Sequence, residues 1–131
     1  MITQDLPIYN SIREYVTAYV GVFDKVKHIH KYYLAKDIYE KSLSLFEYIE
    51  TANKASVPME KIRLYDESGT IVDGILTRFR IAGDTGVIGR EQQARLSKML
   101  VDINKQLSGL KSHFTKCAAF MEREGQPNTE K

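Results

Sequence analysis

The residues of this chain with types suited to chemistry are few: three His, one Cys and one glycine-rich stretch. His28 and His30 lie two apart with Asp24 nearby. A metal there would need further ligands from elsewhere in the fold. The pair reads as two histidines at a helix junction, gaining charge at lower pH. Metal-carboxylate bundles carry Glu three residues before an inward His. Those positions here are Lys25, Lys27 and Leu110, so that motif is absent. His113 lies beside an apolar stripe and reads as a packed or interfacial side chain.

The stretch Gly83-Asp84-Thr85-Gly86-Val87-Ile88-Gly89 lacks the Gly-Lys-Ser/Thr ending of a phosphate-binding P-loop, and it follows a helical pattern rather than a strand. Asp84-Thr85-Gly86 matches the aspartic-protease triplet in three letters only, and those proteases are all-β. No Ser-His-Asp or Cys-His set can be assembled. Cys117 cannot form an internal disulfide and is expected to be a small buried hydrophobe. The chain is therefore read as a non-enzyme with no cofactor and no metal.

What remains is charge. The net charge is only +2, but it is segregated. Residues 25–41 carry five bases and two acids, and residues 78–116 carry eight bases and three acids. Residues 42–77 invert this, with three bases and six acids. Convergent Lys and Arg attract polyanions. The candidate nucleic-acid-binding set has three groups. Lys25, Lys27, Lys31 and Lys36 bracket the first connection. Arg78, Arg80 and Arg90 flank the glycine-rich stretch. Arg95, Lys98, Lys105 and Lys116 lie along the last helix. With no base-reading motif, binding driven by charge and shape is expected.

Helices must position these cations. Leu96, Leu100, Ile103, Leu107, Leu110, Phe114, Cys117 and Met121 are spaced alternately by four and three, the seam of a helix lying along other helices. This last helix is expected from about Arg90 to Glu124. A first helix starts at Pro7, whose fixed φ suits the first turn, and runs to about Lys27 over Ile8, Ile12, Tyr15, Val16, Tyr19, Phe23 and Val26. His28-Ile29-His30 is expected as the connection. A second helix follows over 31–55, burying Leu34, Ala35, Ile38, Ser42, Leu45, Phe46, Ile49 and Ala52. Ser56 is expected to cap a third helix reaching Ala82, with Ile62, Tyr65, Val72, Ile75, Leu76 and Phe79 inward. Ser68-Gly69 is a candidate kink, and Gly83 a candidate left-handed helix closure.

Four long helices with short connections predict an all-α, antiparallel up-down-up-down four-helix bundle over residues 1–124, with a disordered tail over 125–131. The N-terminus lacks signal-peptide features, and no apolar run approaches the ~20 residues of a membrane span. A cytoplasmic protein with no membrane partner is expected.

Several segments resemble one family. Leu6-Pro7-Ile8-Tyr9-Asn10 is similar to the opening of the bacterial four-helix-bundle proteins encoded in ribosomal-RNA intervening sequences. Tyr33-Leu34-Ala35-Lys36-Asp37-Ile38 and Tyr48-Ile49-Glu50-Thr51-Ala52-Asn53-Lys54-Ala55 resemble the second helix of that family. Leu76-Thr77-Arg78-Phe79-Arg80-Ile81-Ala82 resembles the end of the third, and Ile103 to Lys111 the final helix. Within the group, the chain is most similar to the accessory variability determinants of diversity-generating retroelements. That resemblance implies a barrel-shaped homopentamer with a basic surface. It also implies binding of a reverse transcriptase and template RNA, or an RNA/DNA hybrid, in support of error-prone cDNA synthesis. The alternative is an RNA-binding or protein-interaction module of the intervening-sequence type with no retroelement role.

Overall fold

The computed structural model describes residues 2–125, except the side chains of Lys31, Tyr32 and Glu124. The described residues form a helical bundle without strands. A 3-10 turn (Thr3–Asp5) leads into α1 (Pro7–Phe23). A helical turn (His28–His30) and a π-helical turn (Lys31–Ala35) enter α2 (Lys36–Lys54). Two long helices follow, α3 (Pro58–Asp84) and α4 (Arg90–Gly125). α1 packs on α2 and α4, and α3 packs on the same two helices. The predicted tail keeps only Gly125 in view, at the end of α4; residues 126–131 lie outside the described residues.

α1 buries Ile8, Ile12, Tyr15, Tyr19 and Val22 on one face. It stops four residues before the predicted end. Lys25 N–H and Val26 N–H bond the carbonyls of Val22 and Phe23, three residues back rather than four. This tightened turn drives Val26 into the core at 6% exposure. The chain break therefore falls at 24–27, and His28-Ile29-His30, predicted as the connection, is already helical.

Two buried tyrosines tie α1 to the next segment. Tyr19 Oη donates to the Ala35 carbonyl at 2.7 Å, at the end of the π-helical turn. Ser42 Oγ donates its single proton to the Ile38 carbonyl at 2.7 Å, so Tyr15 Oη is the donor in its 2.8 Å bond to Ser42. Phe79 of α3 meets both rings edge-on, with centroids 5.6 Å from Tyr19 and 6.3 Å from Tyr15. α2 buries Ile38, Ser42, Leu45, Ile49 and Ala52, with Ala35 just before it, as expected, while Leu34 and Phe46 are only half-buried. Lys61 Nζ closes its C-terminal end, donating to the carbonyls of Ala52 and Asn53 at 2.8 and 3.2 Å.

α3 departs from expectation in three ways. Its cap position is Val57, extended and without a side-chain cap, so Ser56 does not cap it. Leu64 and Ser68 are buried, while Ile62 and Leu76 are only half-buried. Ile62 sits two positions from Leu64, on the edge of the buried stripe. The helix runs unbroken through Ser68-Gly69, where the buried Ser68 Oγ bonds the Leu64 carbonyl of its own helix at 2.8 Å. The left-handed residue after α3 is Gly86, with φ +76°, not Gly83. Gly83 is still helical and buried, and a Cβ there would lie 3.1 Å from Gln93 Cγ.

Leu96, Leu100, Ile103 and Leu107 of α4 are buried as predicted. Leu110 and Phe114 pack on the core with part of their surface exposed. Cys117 is half-buried rather than buried, and Met121 is 55% exposed. The seam thus continues beyond the helices available to cover it.

Candidate nucleic-acid interface

Ion pairing divides the molecule. Among the described residues, six of the eight ion pairs lie within and between α2 and α3, and none involves α1. Arg78 of α3 donates to Asp37 of α2 at 2.6 Å and to the Gly74 carbonyl at 2.9 Å. Its guanidinium, with Lys41 at 3.1 Å, holds the Asp37 carboxyl below the usual carboxylate range. Lys36 lies 3.8 Å from Glu40, and Arg90 lies 3.7 Å from Asp84. Arg63 bridges Glu60 and Glu67. Most of the charge on the α2–α3 side is therefore compensated locally.

Three predicted binding residues, Lys36, Arg78 and Arg90, belong to these pairs. Arg78 is the most engaged of the three, since its Nε and Nη1 both have partners and it lines a groove with Asp37, Glu40 and Lys41. Lys31 has a side chain outside the described residues. The other seven, Lys25, Lys27, Arg80, Arg95, Lys98, Lys105 and Lys116, are exposed and have no ion pair among the described residues.

The fold brings Lys25 and Arg95 into one groove between α1 and α4, about 650 Å³ in volume. Its rim also carries Arg13, Glu14 and Gln92, and its floor is Thr17, Ala18, Gly21, Val22 and Met99. Gly21 meets nothing within 4 Å of where a Cβ would be, so its missing side chain leaves the trough open. Lys25 also shares a smaller pocket with Val87, Ile88 and Gly89, so the turn after α1 sits beside the glycine-rich turn after α3. Arg13 was not singled out from the sequence. No signal in the sequence marks it, because its place in the groove depends on α1 packing on α4.

Lys98, Lys105 and Lys116 recur near multiples of a whole helical turn on the face of α4 opposite Leu96, Leu100 and Leu107. Lys105 borders the α3–α4 groove, where the nearby acids are engaged: Asp73 accepts from Asn104 at 2.9 Å and Asp66 from Lys111 at 3.3 Å. Arg80 stands apart on α3. The arrangement offers a row of cations outside any ion pair, from the α1–α4 groove along the outer face of α4, interrupted by the exposed Glu91 and Asp102. Such a row attracts a polyanion, with each contact releasing counterions.

Among the described residues, no group of three or more His, Cys, Asp or Glu is placed to hold a metal. His30 bonds Tyr33, and His113 Nε2 lies 3.7 Å from Cys117 Sγ. No described helix is long and apolar enough to cross a membrane. No family model, curated protein or solved structure matches the chain.

Proposed function

We propose that this protein is a non-enzymatic accessory of a diversity-generating retroelement. In this reading it binds the reverse transcriptase and the template RNA or RNA/DNA hybrid, and supports mutagenic cDNA synthesis. The observation that carries the nucleic-acid part is the division of ion pairing: most charges of α2 and α3 are held in ion pairs, while Arg13, Lys25, Arg95, Lys98 and Lys105 around α1 and α4 make none among the described residues. The retroelement part rests on the resemblance of the segments around Pro7, Ala35, Ala52, Phe79 and Leu107.

The reading includes an antiparallel up-down-up-down bundle. Pairing of Gly83 with Gln93, Asp73 with Asn104 and Asp66 with Lys111 supports it, since residue numbers rise along one helix as they fall along the other. It also includes a ring of five copies, which would repeat the cationic row around the assembly. Light scattering of the purified protein tests the ring.

The decisive experiment is RNA binding over a salt series. The triple variant Arg95→Glu, Lys98→Glu, Lys105→Glu is expected to lose affinity at unchanged helicity, with the salt slope falling by about 1 per phosphate contact removed. Arg78→Gln is expected to leave RNA affinity alone. Salt-insensitive binding, or a triple variant that binds like the parent, overturns the proposal. RNA binding without retention of the reverse transcriptase favours the intervening-sequence type of module instead.

A further inference from the structure

α4 outruns α1. Ser11 accepts from Gln106 at 2.7 Å, and Leu6, Pro7 and Ile8 meet Gly109 and Leu110 around an apolar notch of about 280 Å³. That notch marks the start of α1. Beyond Leu110 the remaining residues of α4, roughly four turns, run on without α1 beside them. One flank of this overhang is closed: Phe114 stacks on Tyr65 at 5.9 Å, with Lys61 Nζ 5.3 Å from its ring. The flank that α1 leaves bare carries His113, Cys117 and Phe120, with Phe120 57% exposed. Residues 126–131 contain no large apolar side chain with which to cover it.

We infer that this flank is a self-association surface on which two copies lay their α4 overhangs against each other across a twofold axis between His113 and Cys117. The knob, Phe120, and the notch, at Gly109 and Leu110, sit on one helix about three turns apart. The His113–Cys117 turn of the same face lies midway between them. Rotation about an axis there sets each Phe120 on the partner copy's notch, so both knobs are seated at once, as an isologous contact requires. Gly109 makes the notch accessible: a Cβ there would meet nothing within 4 Å, and its absence lets a ring lie against the backbone. The occupant is a second copy because the surface supplies both halves of the fit. Lys116 stands at the rim and would approach its own symmetry mate, so added salt strengthens the pairing. With only about four helical turns of each copy in contact, the pair is expected to dissociate on dilution.

The test uses the full chain and its native thiol. Near the axis, Cys117 of one copy comes close to its counterpart. A short bismaleimide is expected to link two chains at high protein concentration, with the yield rising with salt. Phe120→Asp is expected to reduce that yield at least about tenfold and to halve the mass seen by light scattering, at unchanged helicity. Gly109→Leu, which fills the notch from the other side, is expected to do the same. The halving is read whether the parent assembly holds two copies or two rings. A parent protein that stays unlinked at high concentration overturns the inference. So does a Phe120→Asp variant that links and scatters like the parent. The readouts involve no RNA, so the result stands apart from the nucleic-acid reading.

Discussion

Arg78 Nε donates to Asp37 Oδ2 at 2.6 Å, joining α3 to α2 across forty-one residues of sequence. The bond sits at the groove between those helices, with both side chains partly exposed. It gives Arg78 a structural role where the sequence had suggested a binding one.

The Asp37 carboxyl is held below its ordinary range chiefly by Arg78, with Lys41 adding to the effect. A lowered folded-state pKa contributes stability that is fully present above the unfolded pKa and is lost as pH falls through the folded value. Asp37→Asn is therefore expected to be less stable than the parent at neutral pH by up to about 1 kcal/mol, the range for partly exposed pairs. The difference should vanish in strong acid. Urea unfolding at the two pH values reads both outcomes.

Tyr19→Phe removes the donor to the buried Ala35 carbonyl and fills nothing in its place. It is expected to cost about 1–3 kcal/mol, measured by denaturant unfolding, with faster amide exchange through Lys31–Ala35. Burial raises both the Tyr15 and Tyr19 phenols well above the usual tyrosine value. Phenolate absorbance should show these two ionising only as the fold opens, after the exposed tyrosines.

The two glycines around the last turn should respond differently. Gly86 holds φ +76°, so Gly86→Ala is expected to cost about 1–2 kcal/mol from backbone conformation alone. At Gly83 the obstacle is Gln93 packing, and Gly83→Leu overfills a closed contact at about 1–3 kcal/mol. Adding Gln93→Ala should recover part of the Gly83 loss and none of the Gly86 loss, as thermal melts of the double variants would show.

Lys61 joins three elements: it bonds two carbonyls at the end of α2, lies in the first turn of α3 and sits over Phe114 of α4. Lys61→Met keeps the aliphatic stem but removes the ammonium donor, leaving the Ala52 carbonyl only its 3.3 Å bond from Ala55 N–H. An expected loss of about 1–2 kcal/mol, read by chemical denaturation, would exceed that of Lys54→Met, whose ammonium makes only an exposed pair with Glu50.

Much of the fold was legible in the chain because helix burial repeats with a short period. The stripes Ile8–Ile12–Tyr15–Tyr19, Ile38–Ser42–Leu45–Ile49 and Leu96–Leu100–Ile103–Leu107 need only that each helix bury one side. Pro7 marked the start of α1 through its own backbone restriction. The length of α1 was not legible, because the turn at 24–27 depends on Val26 finding a place in the core.

The candidate site divided along the same line. A linear sequence shows where Lys and Arg occur, but an ion pair between Arg78 and Asp37 exists only once two helices lie side by side. The same holds for Arg13, Lys25 and Arg95, which share a groove only because α1 packs on α4. By itself the sequence determined helices, their inward faces and the supply of cations, all set by neighbours within a few turns. Tertiary structure alone decided which cations are neutralised and which face outward together, because charges far apart along the chain interact only when folding brings them within a few ångströms.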